Sequence, residues 1–166
     1  MTMTSPNIQD RTFEVSRSFN APRELVFAAF SQCEHLKHWW GPKDWELPVC
    51  EMDFRVGGSW VYCMRGPDGE GGIMESWGKW VYQEISVPEK IVSTDNFVDS
   101  DGNILPDTPD MLTTVVFEDV DGKTLVTNTT VFERKEDLDM VISMGMAEGV
   151  DQEFDKLEAY LEQQSS

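Results

Sequence analysis

Between residues 45 and 132 the sequence repeats one pattern, in which short strand-like segments alternate with turn residues. The segments are 45–54, 59–65, 73–86, 91–98, 111–120 and 124–132. Two of the connections, GPDGEGG at 66–72 and Asp121-Gly122, are typical of hairpins. Because strands joined by such short connections pair antiparallel, this part of the chain predicts an antiparallel sheet.

Further elements flank this run on both sides. Residues 11–19 alternate apolar and polar side chains as a strand does. Asn20 and Pro22 then predict the start of a short helix, and a second short helix over about 33–39 ends at Gly41-Pro42.

The C-terminal part has helical spacing. From Glu136 to about Gln163 we expect one long helix, since apolar residues recur at intervals of three and four residues. The segregation of helices and strands predicts the α+β class. A curved sheet wrapped around a long helix leaves a space where a ligand can bind.

Length and charge limit the function. We expect one domain over 11–163 after a flexible N-terminus at 1–10, because 166 residues fit a single core that buries about 70% of the chain's surface. The net charge of −18 argues against nucleic-acid partners and anionic membranes, and leaves a basic protein partner open. No apolar run reaches the ~20 residues of a membrane helix.

The cysteines and the N-terminus predict a cytoplasmic location. Cys33, Cys50 and Cys63 are an odd number without a CxxC spacing, which favours reduced thiols. The sequence MTMTSPNIQDRTF has neither the basic nor the apolar region of a secretory signal.

Several stretches together resemble one known family. They are FNAPRELVFAAFSQCEHLKHWWGP at 19–42, CEMDFRVGGSWVYCMRGPDGEGG at 50–72 and GMAEGVDQEFDKLEAYL at 145–161. The chain resembles, from about residue 11 to 162, the family related to the C-terminal domain of the Hsp90 ATPase activator. That family is part of the START/Bet v 1-like superfamily. The most specific part is the DxRxGGxW motif from Asp53 to Trp60, which precedes a G-P-D-G turn.

The resemblance implies a helix-grip fold, with a seven-stranded antiparallel sheet curled around the last helix, two short helices after the first strand and a cavity between sheet and helix. It does not imply one function, since members of such families include a co-chaperone domain, binders of hydrophobic ligands, antibiotic-resistance proteins and relatives of polyketide cyclases. At the last helix this chain has Val150 where relatives often carry an aromatic residue.

Residue alternation selects candidates for the cavity wall. On strand 59–65, Arg65 marks the solvent side, so the opposite face is expected to point inward. Methionines on the last helix supply adaptable apolar surface, and the tryptophans around Gly41-Pro42 are expected to close one end. The predicted lining is Trp39, Trp45, Trp60, Tyr62, Met64, Ile91, Phe97, Met111, Val115, Phe117, Met140 and Met144. A plain hydrophobic core is the alternative interpretation of the same residues.

Charged residues within strands are candidate polar anchors. Arg17 interrupts an apolar strand face and therefore requires a carboxylate partner. We expect Arg17, Asp53, Arg55 and Glu84 to be partly buried, and Arg17, Arg55 and Glu84 either to orient a ligand or to brace the strands.

We expect no metal and no cofactor. His35 and His38 have a spacing that could bring two imidazoles near one ion, but the chain contains no third histidine. No nucleophile and base are recognisable as a set. A cavity carboxylate such as Glu84 or Glu148 could still act in acid–base catalysis.

Three functions remain open from the sequence. The first is binding of a small hydrophobic or aromatic molecule between the sheet and the C-terminal helix. The second is a cyclase- or hydrolase-like enzyme that uses the same cavity. The third is a module that contacts a chaperone partner through its acidic surface.

Overall fold

The computed structural model describes residues 7–165, which contain eight strands and four helices. The strands are β1 Asn7–Gln9, β2 Thr12–Phe19, β3 Glu46–Met52, β4 Ser59–Pro67, β5 Ile73–Ser86, β6 Lys90–Phe97, β7 Asp110–Val120 and β8 Lys123–Phe132. The helices are α1 Arg23–Ser31, α2 Cys33–Leu36, α3 Lys135–Ser143 and α4 Met146–Ser165. No helix within residues 7–165 combines the length and the apolar composition that crossing a membrane requires.

All eight strands form one antiparallel sheet in the order β1-β2-β8-β7-β6-β5-β4-β3. Strands β3 to β8 each pair with the next strand in the chain, and the last strand, β8, also pairs with β2. Along β2, every second residue from Phe13 to Phe19 is buried, so one face of the sheet packs against the helices. The α+β class and the helix-grip fold are therefore confirmed.

Two details of the predicted architecture are wrong. The sheet has eight strands rather than seven, because β1 pairs with β2 inside the segment that was expected to be flexible; residues 1–6 of that segment lie outside the described residues. The single long C-terminal helix is two helices, α3 and α4. Gly145 lies between them with φ +94°, a left-handed conformation that ends a helix and that glycine adopts without steric cost.

A densely aromatic core fills the space between α1 and the sheet. The ring centroids of Phe27 and Phe30 each lie 5.1 Å from that of Phe117 on β7. Trp39 packs 4.7 Å from Phe30 and donates its indole N–H to the carbonyl of Ala29 at 3.0 Å. The space between α1 and the sheet is therefore closely packed with aromatic rings.

Buried Arg17 connects α4 to β2. Its guanidinium lies 2.8 Å from a carboxylate oxygen of Asp151 and 2.9 Å from one of Asp155, both on α4. Arg17 is 3% exposed, so its charge depends on these two partners. The carboxylate partner that the sequence required is present, and the network positions the helix over the sheet.

The prediction of reduced thiols is wrong for two of the three cysteines. Cys33 at the start of α2 and Cys50 on β3 form a disulfide, while Cys63 is a buried free thiol. The sequence spacing of 17 residues did not reveal the pair, because α2 and β3 become neighbours only when the chain folds back at Gly41-Pro42. Disulfides are typical of oxidising environments, so the cytoplasmic location stays a prediction.

The disulfide should contribute measurably to stability. Closing a loop of this size restricts the unfolded chain, so dithiothreitol should lower the free energy of unfolding by about 3 kcal/mol. The C33S/C50S double variant should already have the lower stability and should not respond to dithiothreitol. Urea titrations of both proteins with and without reductant measure this, and an equal response of the two proteins would contradict the disulfide.

Candidate functional site

A cavity of about 270 Å³ lies between the sheet and the junction of α3 and α4. Its sheet side is formed by residues of β4 to β8, and its other side by Val141 and by the segment from Met144 to Glu153. Trp40 and Pro42, from the segment that connects α2 to β3, close one end. The cavity thus lies where the helix-grip fold leaves space beneath its last helix.

Five aromatic residues form much of the wall, namely Trp40, Tyr62, Trp77, Trp80 and Phe97. The ring of Trp40 meets those of Tyr62 and Trp80 edge to face, with centroid distances of 5.5 and 5.7 Å. Edge-to-face contacts of this kind are favourable and fix the orientation of the rings. The aromatic wall is therefore preformed.

Gly78 on β5 makes room for the ring of Tyr62. A Cβ atom at position 78 would lie 2.4 Å from the Tyr62 hydroxyl oxygen and 2.5 Å from Cζ. Because strand partners Tyr62 and Gly78 are directly opposite each other, only glycine lets the phenol ring lie across β5 toward the cavity.

Two carboxyl groups from different elements face the cavity, Asp95 on β6 and Glu153 on α4. Burial raises the pKa of Asp95 to about 7, against a smaller opposing effect of the Trp80 indole. Burial also raises the pKa of Glu153 to about 7, where the Gly41 N–H and Lys156 act in the opposite direction and Asp95 adds to the increase. The cavity therefore contains two acids that change charge near neutral pH.

The hydroxyl of Tyr62 belongs to the same electrostatic group. Burial raises its pKa well above the ordinary value, and the nearby Asp95 and Glu153 raise the pKa further. Tyr62 therefore stays neutral and keeps a proton to donate.

Helix α4 also holds the segment that closes the cavity. The backbone N–H of Gly41 donates to Oε2 of Glu153 at 2.8 Å. Nζ of Lys156 donates to the carbonyl oxygens of Gly41 and Trp45 at 3.1 Å each, and lies 3.4 Å from those of Trp40 and Pro42. Glu153 thus has two roles, since it lines the cavity and fixes the segment that covers it.

The hydroxyl of Thr113 in the cavity wall is buried and has no hydrogen-bond partner among the described residues. Thr113 is 3% exposed. Leaving a buried polar group unpaired costs about 1–3 kcal/mol, so a ligand that bonds to this hydroxyl would gain affinity. The indole N–H groups of Trp40 and Trp80 interact instead with the Tyr62 hydroxyl and, for Trp80, also with Asp95.

Comparisons with known proteins identify the family. The family model described as Activator of Hsp90 ATPase homolog 1-like protein matches residues 20–162. The chain belongs to this family. No curated protein matches the chain.

Solved structures of similar proteins have the same fold. A crystal structure of a Mycobacterium smegmatis protein is 28% identical, with a TM-score of 0.87 over 96% of this chain and 97% of that chain. A solution structure from Arthrobacter aurescens is 28% identical, with a TM-score of 0.87 over 98% and 93%. A solution structure from Staphylococcus epidermidis is 29% identical, with a TM-score of 0.83 over 97% and 95%. The fold is therefore shared along nearly the whole chain.

The cavity wall includes five of the twelve apolar residues proposed from the sequence. These are Tyr62, Met64, Phe97, Met111 and Met144. They lie at the ends of β4, β6 and β7 that face the α3–α4 junction, or at that junction itself.

The other seven proposed residues are not among those that line the cavity. Trp39, Ile91, Val115 and Phe117 are buried in the core. Trp60 is also buried, and its ring packs against the rings of the cavity wall, with its centroid 4.7 Å from that of Trp40, 4.4 Å from that of Tyr62 and 5.0 Å from that of Trp80. The ring of Trp45 packs over Gly66, and Met140 is 40% exposed on α3. The strands are longer than the cavity, so residues that share an inward face divide between the filled end and the hollow end.

None of the three proposed polar anchors lines the cavity. Arg55 pairs with Asp53 at 2.8 Å and Glu84 with Lys90 at 3.4 Å, all at the surface. The expectation that Asp53, Arg55 and Glu84 are partly buried is wrong, because these charges lie on the outer face or at strand ends. Arg17 is buried, but its partners are the carboxylates of α4.

The two histidines contact Tyr160 on α4. The His35 Nδ1 lies 2.5 Å from the Tyr160 hydroxyl oxygen, and the ring of His38 stacks on that of Tyr160 at 5.0 Å. Within residues 7–165 no three His, Cys, Asp or Glu side chains are close enough together to hold a metal ion.

Sequence reasoning missed both cavity carboxyl groups, although a signal for each is present. Asp95 shares its strand face with Ile91 and Phe97, which were assigned inward. Glu153 lies three and four residues beyond Val150 and Gly149, on the same side of α4. The many acidic residues of the chain concealed these two, because a sequence does not distinguish a buried carboxyl group from an exposed one.

The raised pKa of Asp95 predicts an unusual pH dependence of stability. The folded protein holds this proton up to about pH 7, whereas the unfolded chain releases it near the ordinary value of 3.8. Stability from this group is therefore present below pH 4 and lost as the pH rises to 7. The difference in stability between the variant D95N and the wild type should therefore be more in favour of D95N at pH 8 than at pH 5.

Urea unfolding at pH 5 and pH 8 measures this difference. E84Q is a suitable control, since it makes the same acid-to-amide change at an exposed position of the neighbouring strand β5. If the difference between D95N and wild type were the same at both pH values, Asp95 would not have a raised pKa.

Proposed function

We propose that this protein binds a small, mostly apolar aromatic molecule in the cavity between the sheet and the α3–α4 junction. The observation that carries the proposal is the combination of a preformed aromatic wall with the buried, unpartnered hydroxyl of Thr113. Apolar walls with a few placed polar groups are typical of small-molecule sites.

The size of the cavity limits the ligand. Ligand sites usually enclose about 300–1,000 Å³, and this cavity of about 270 Å³ lies just below that range. The proposal is therefore a small molecule of one to three rings. Exposed Met144 and half-buried Trp77 at the cavity border provide a deformable edge through which it can enter.

Filling the cavity should abolish binding. Val150 contributes to the wall from α4, and V150W would place an indole in the ligand's space. The neutral fluorescent probe N-phenyl-1-naphthylamine should bind the wild type with increased emission and raise its Tm, and its affinity for V150W should fall at least about tenfold.

The control is L112W, which adds the same ring at a 42% exposed position on the outer face of β7. It should bind the probe as the wild type does. Equal binding by V150W and wild type would place the probe elsewhere and contradict the proposal, as would no binding to the wild type.

A second function is supported by one observation, the pair of cavity acids with pKa values of about 7. A group with a pKa near the working pH can both accept and donate a proton, which suits general acid–base catalysis. We propose this cyclase- or hydrolase-like alternative for Asp95 and Glu153 rather than for Glu84 or Glu148, neither of which lines the cavity.

The two functions differ in what an amide at position 95 does. If the protein is an enzyme that acts on a neutral substrate, D95N should bind this substrate within about threefold of wild type yet lose turnover by about a hundredfold or more. Incubation of both proteins with any ligand identified by the binding assay, followed by mass spectrometry of the small molecules, measures this. An unchanged ligand after prolonged incubation with the wild type would contradict the enzymatic alternative.

A chaperone partner remains a proposal that rests on the family and on the net charge of −18. Such a partner would contact the acidic surface and not the cavity. V150W would then leave partner binding unchanged, so the cavity variant separates this role from ligand binding.

A further inference from the structure

The cavity has a one-sided distribution of charge. Among its lining residues, Asp95 and Glu153 are acidic, and no lysine, arginine or histidine is present. Lys156, which interacts with Glu153, is directed at the backbone carbonyls of the segment from Trp40 to Trp45. Two ionised carboxylates would therefore face the cavity without a cation inside it.

Aromatic rings surround the same space. The ring centroid of Trp40 lies 5.5 Å from that of Tyr62 and 5.7 Å from that of Trp80, and Trp77 and Phe97 also line the cavity. A cation within about 6 Å of such rings is attracted by their negative faces, and the attraction grows when water is excluded. The wall therefore suits an apolar body and a positive charge together.

A buried hydroxyl provides independent evidence for a ligand. Thr113 on β7 is 3% exposed, lines the cavity and has no hydrogen-bond partner for Oγ1 among the described residues. It alternates with Met111 and Val115 on the inward face of the strand. A hydroxyl can accept a hydrogen bond from an ammonium group, and burial without any partner is costly.

We propose that the ligand of this cavity is an arylalkylamine, in which an aliphatic ammonium group is attached to an aromatic ring, with its ring against the tryptophans and its ammonium group between the carboxylates of Asp95 and Glu153. The inference rests on the proposed binding function and specifies the ligand class. A neutral or anionic aromatic ligand would leave the two carboxylates without a counter-charge.

The groups around the carboxylates determine how binding depends on pH. Asp95 faces Tyr62 of β4, Trp80 of β5 and Glu153 of α4, and Glu153 also faces Lys156. Both carboxyl groups are mostly protonated at pH 5.5 and mostly ionised at pH 8, since their pKa values are about 7. An alkylammonium group stays charged over this range, because its pKa is about 10. Affinity for an amine should therefore rise with pH, whereas affinity for a neutral analogue should not.

The test is a series of three ligands with one aromatic body and three charges. They are 2-phenylethylamine, 2-phenylethanol and 3-phenylpropanoate, and isothermal titration calorimetry at pH 8 and pH 5.5 measures their Kd values. At pH 8 the amine should bind at least about tenfold more tightly than the alcohol, and the propanoate should bind most weakly. At pH 5.5 the preference for the amine should shrink to within about threefold.

Amide variants locate the effect. D95N and E153Q should each remove most of the preference for the amine at pH 8 and leave the Kd of the alcohol within about threefold of wild type. E153Q retains an oxygen that can accept from the Gly41 N–H, and D95N does not touch that contact, so the closing segment stays in place. The exposed control E84Q should retain the full preference.

The outcomes separate this inference from the binding function. Equal or tighter binding of the alcohol would overturn the amine assignment and leave ligand binding standing, as would an amine preference that survives both amide variants. If none of the three ligands binds but N-phenyl-1-naphthylamine binds the wild type and not V150W, the amine assignment fails alone. If that probe also fails to bind, both proposals are wrong.

Discussion

The ion pairs of Arg17 with Asp151 and Asp155 determine where α4 lies, and the cavity depends on that position. A buried arginine that lost its partners would leave an uncompensated charge against the sheet, so α4 cannot shift without a large cost. On the opposite side of the same helix, Glu153 and Lys156 bind the backbone of the segment that begins at Gly41. Helix α4 thus packs against the sheet, forms one wall of the cavity and holds the segment that closes it.

Burial of the two cavity carboxyl groups lowers the stability of the folded protein. Burial raises the pKa of Asp95 and Glu153 to about 7, which means that their ionisation opposes folding at and above neutral pH. A packed apolar core would avoid that cost, as the aromatic core around Phe117 does. Buried ionisable groups that line a cavity and lower the stability of the protein are typical of functional sites. This contrast between the two ends of one sheet is the strongest argument that the hollow end has a function.

Much of the fold could be predicted from local sequence. The segment 73–86 matches β5 residue for residue, and the other strands differ from their predicted bounds by a few residues at most. Alternation and turn residues act locally, so they remain visible in one sequence. The break at Gly145 was missed because the apolar spacing continues on both sides of it, and β1 was missed because three residues are too few for a pattern. The Cys33–Cys50 disulfide was missed because it joins elements that only folding brings together.

The sequence by itself determined the fold class, the resemblance to the family and the inward face of several strands, because side-chain alternation and turn chemistry depend on neighbouring residues. Only the tertiary structure decided which part of that inward face is core and which part is cavity. Tyr62 and Trp60 occupy equivalent positions on one strand, yet one lines the cavity and the other is packed in the core. The difference arises from what lies opposite each residue in the fold. The same holds for the pKa values of Asp95 and Glu153, which are raised because folding buries a strand residue and a helix residue, far apart in sequence, around one cavity.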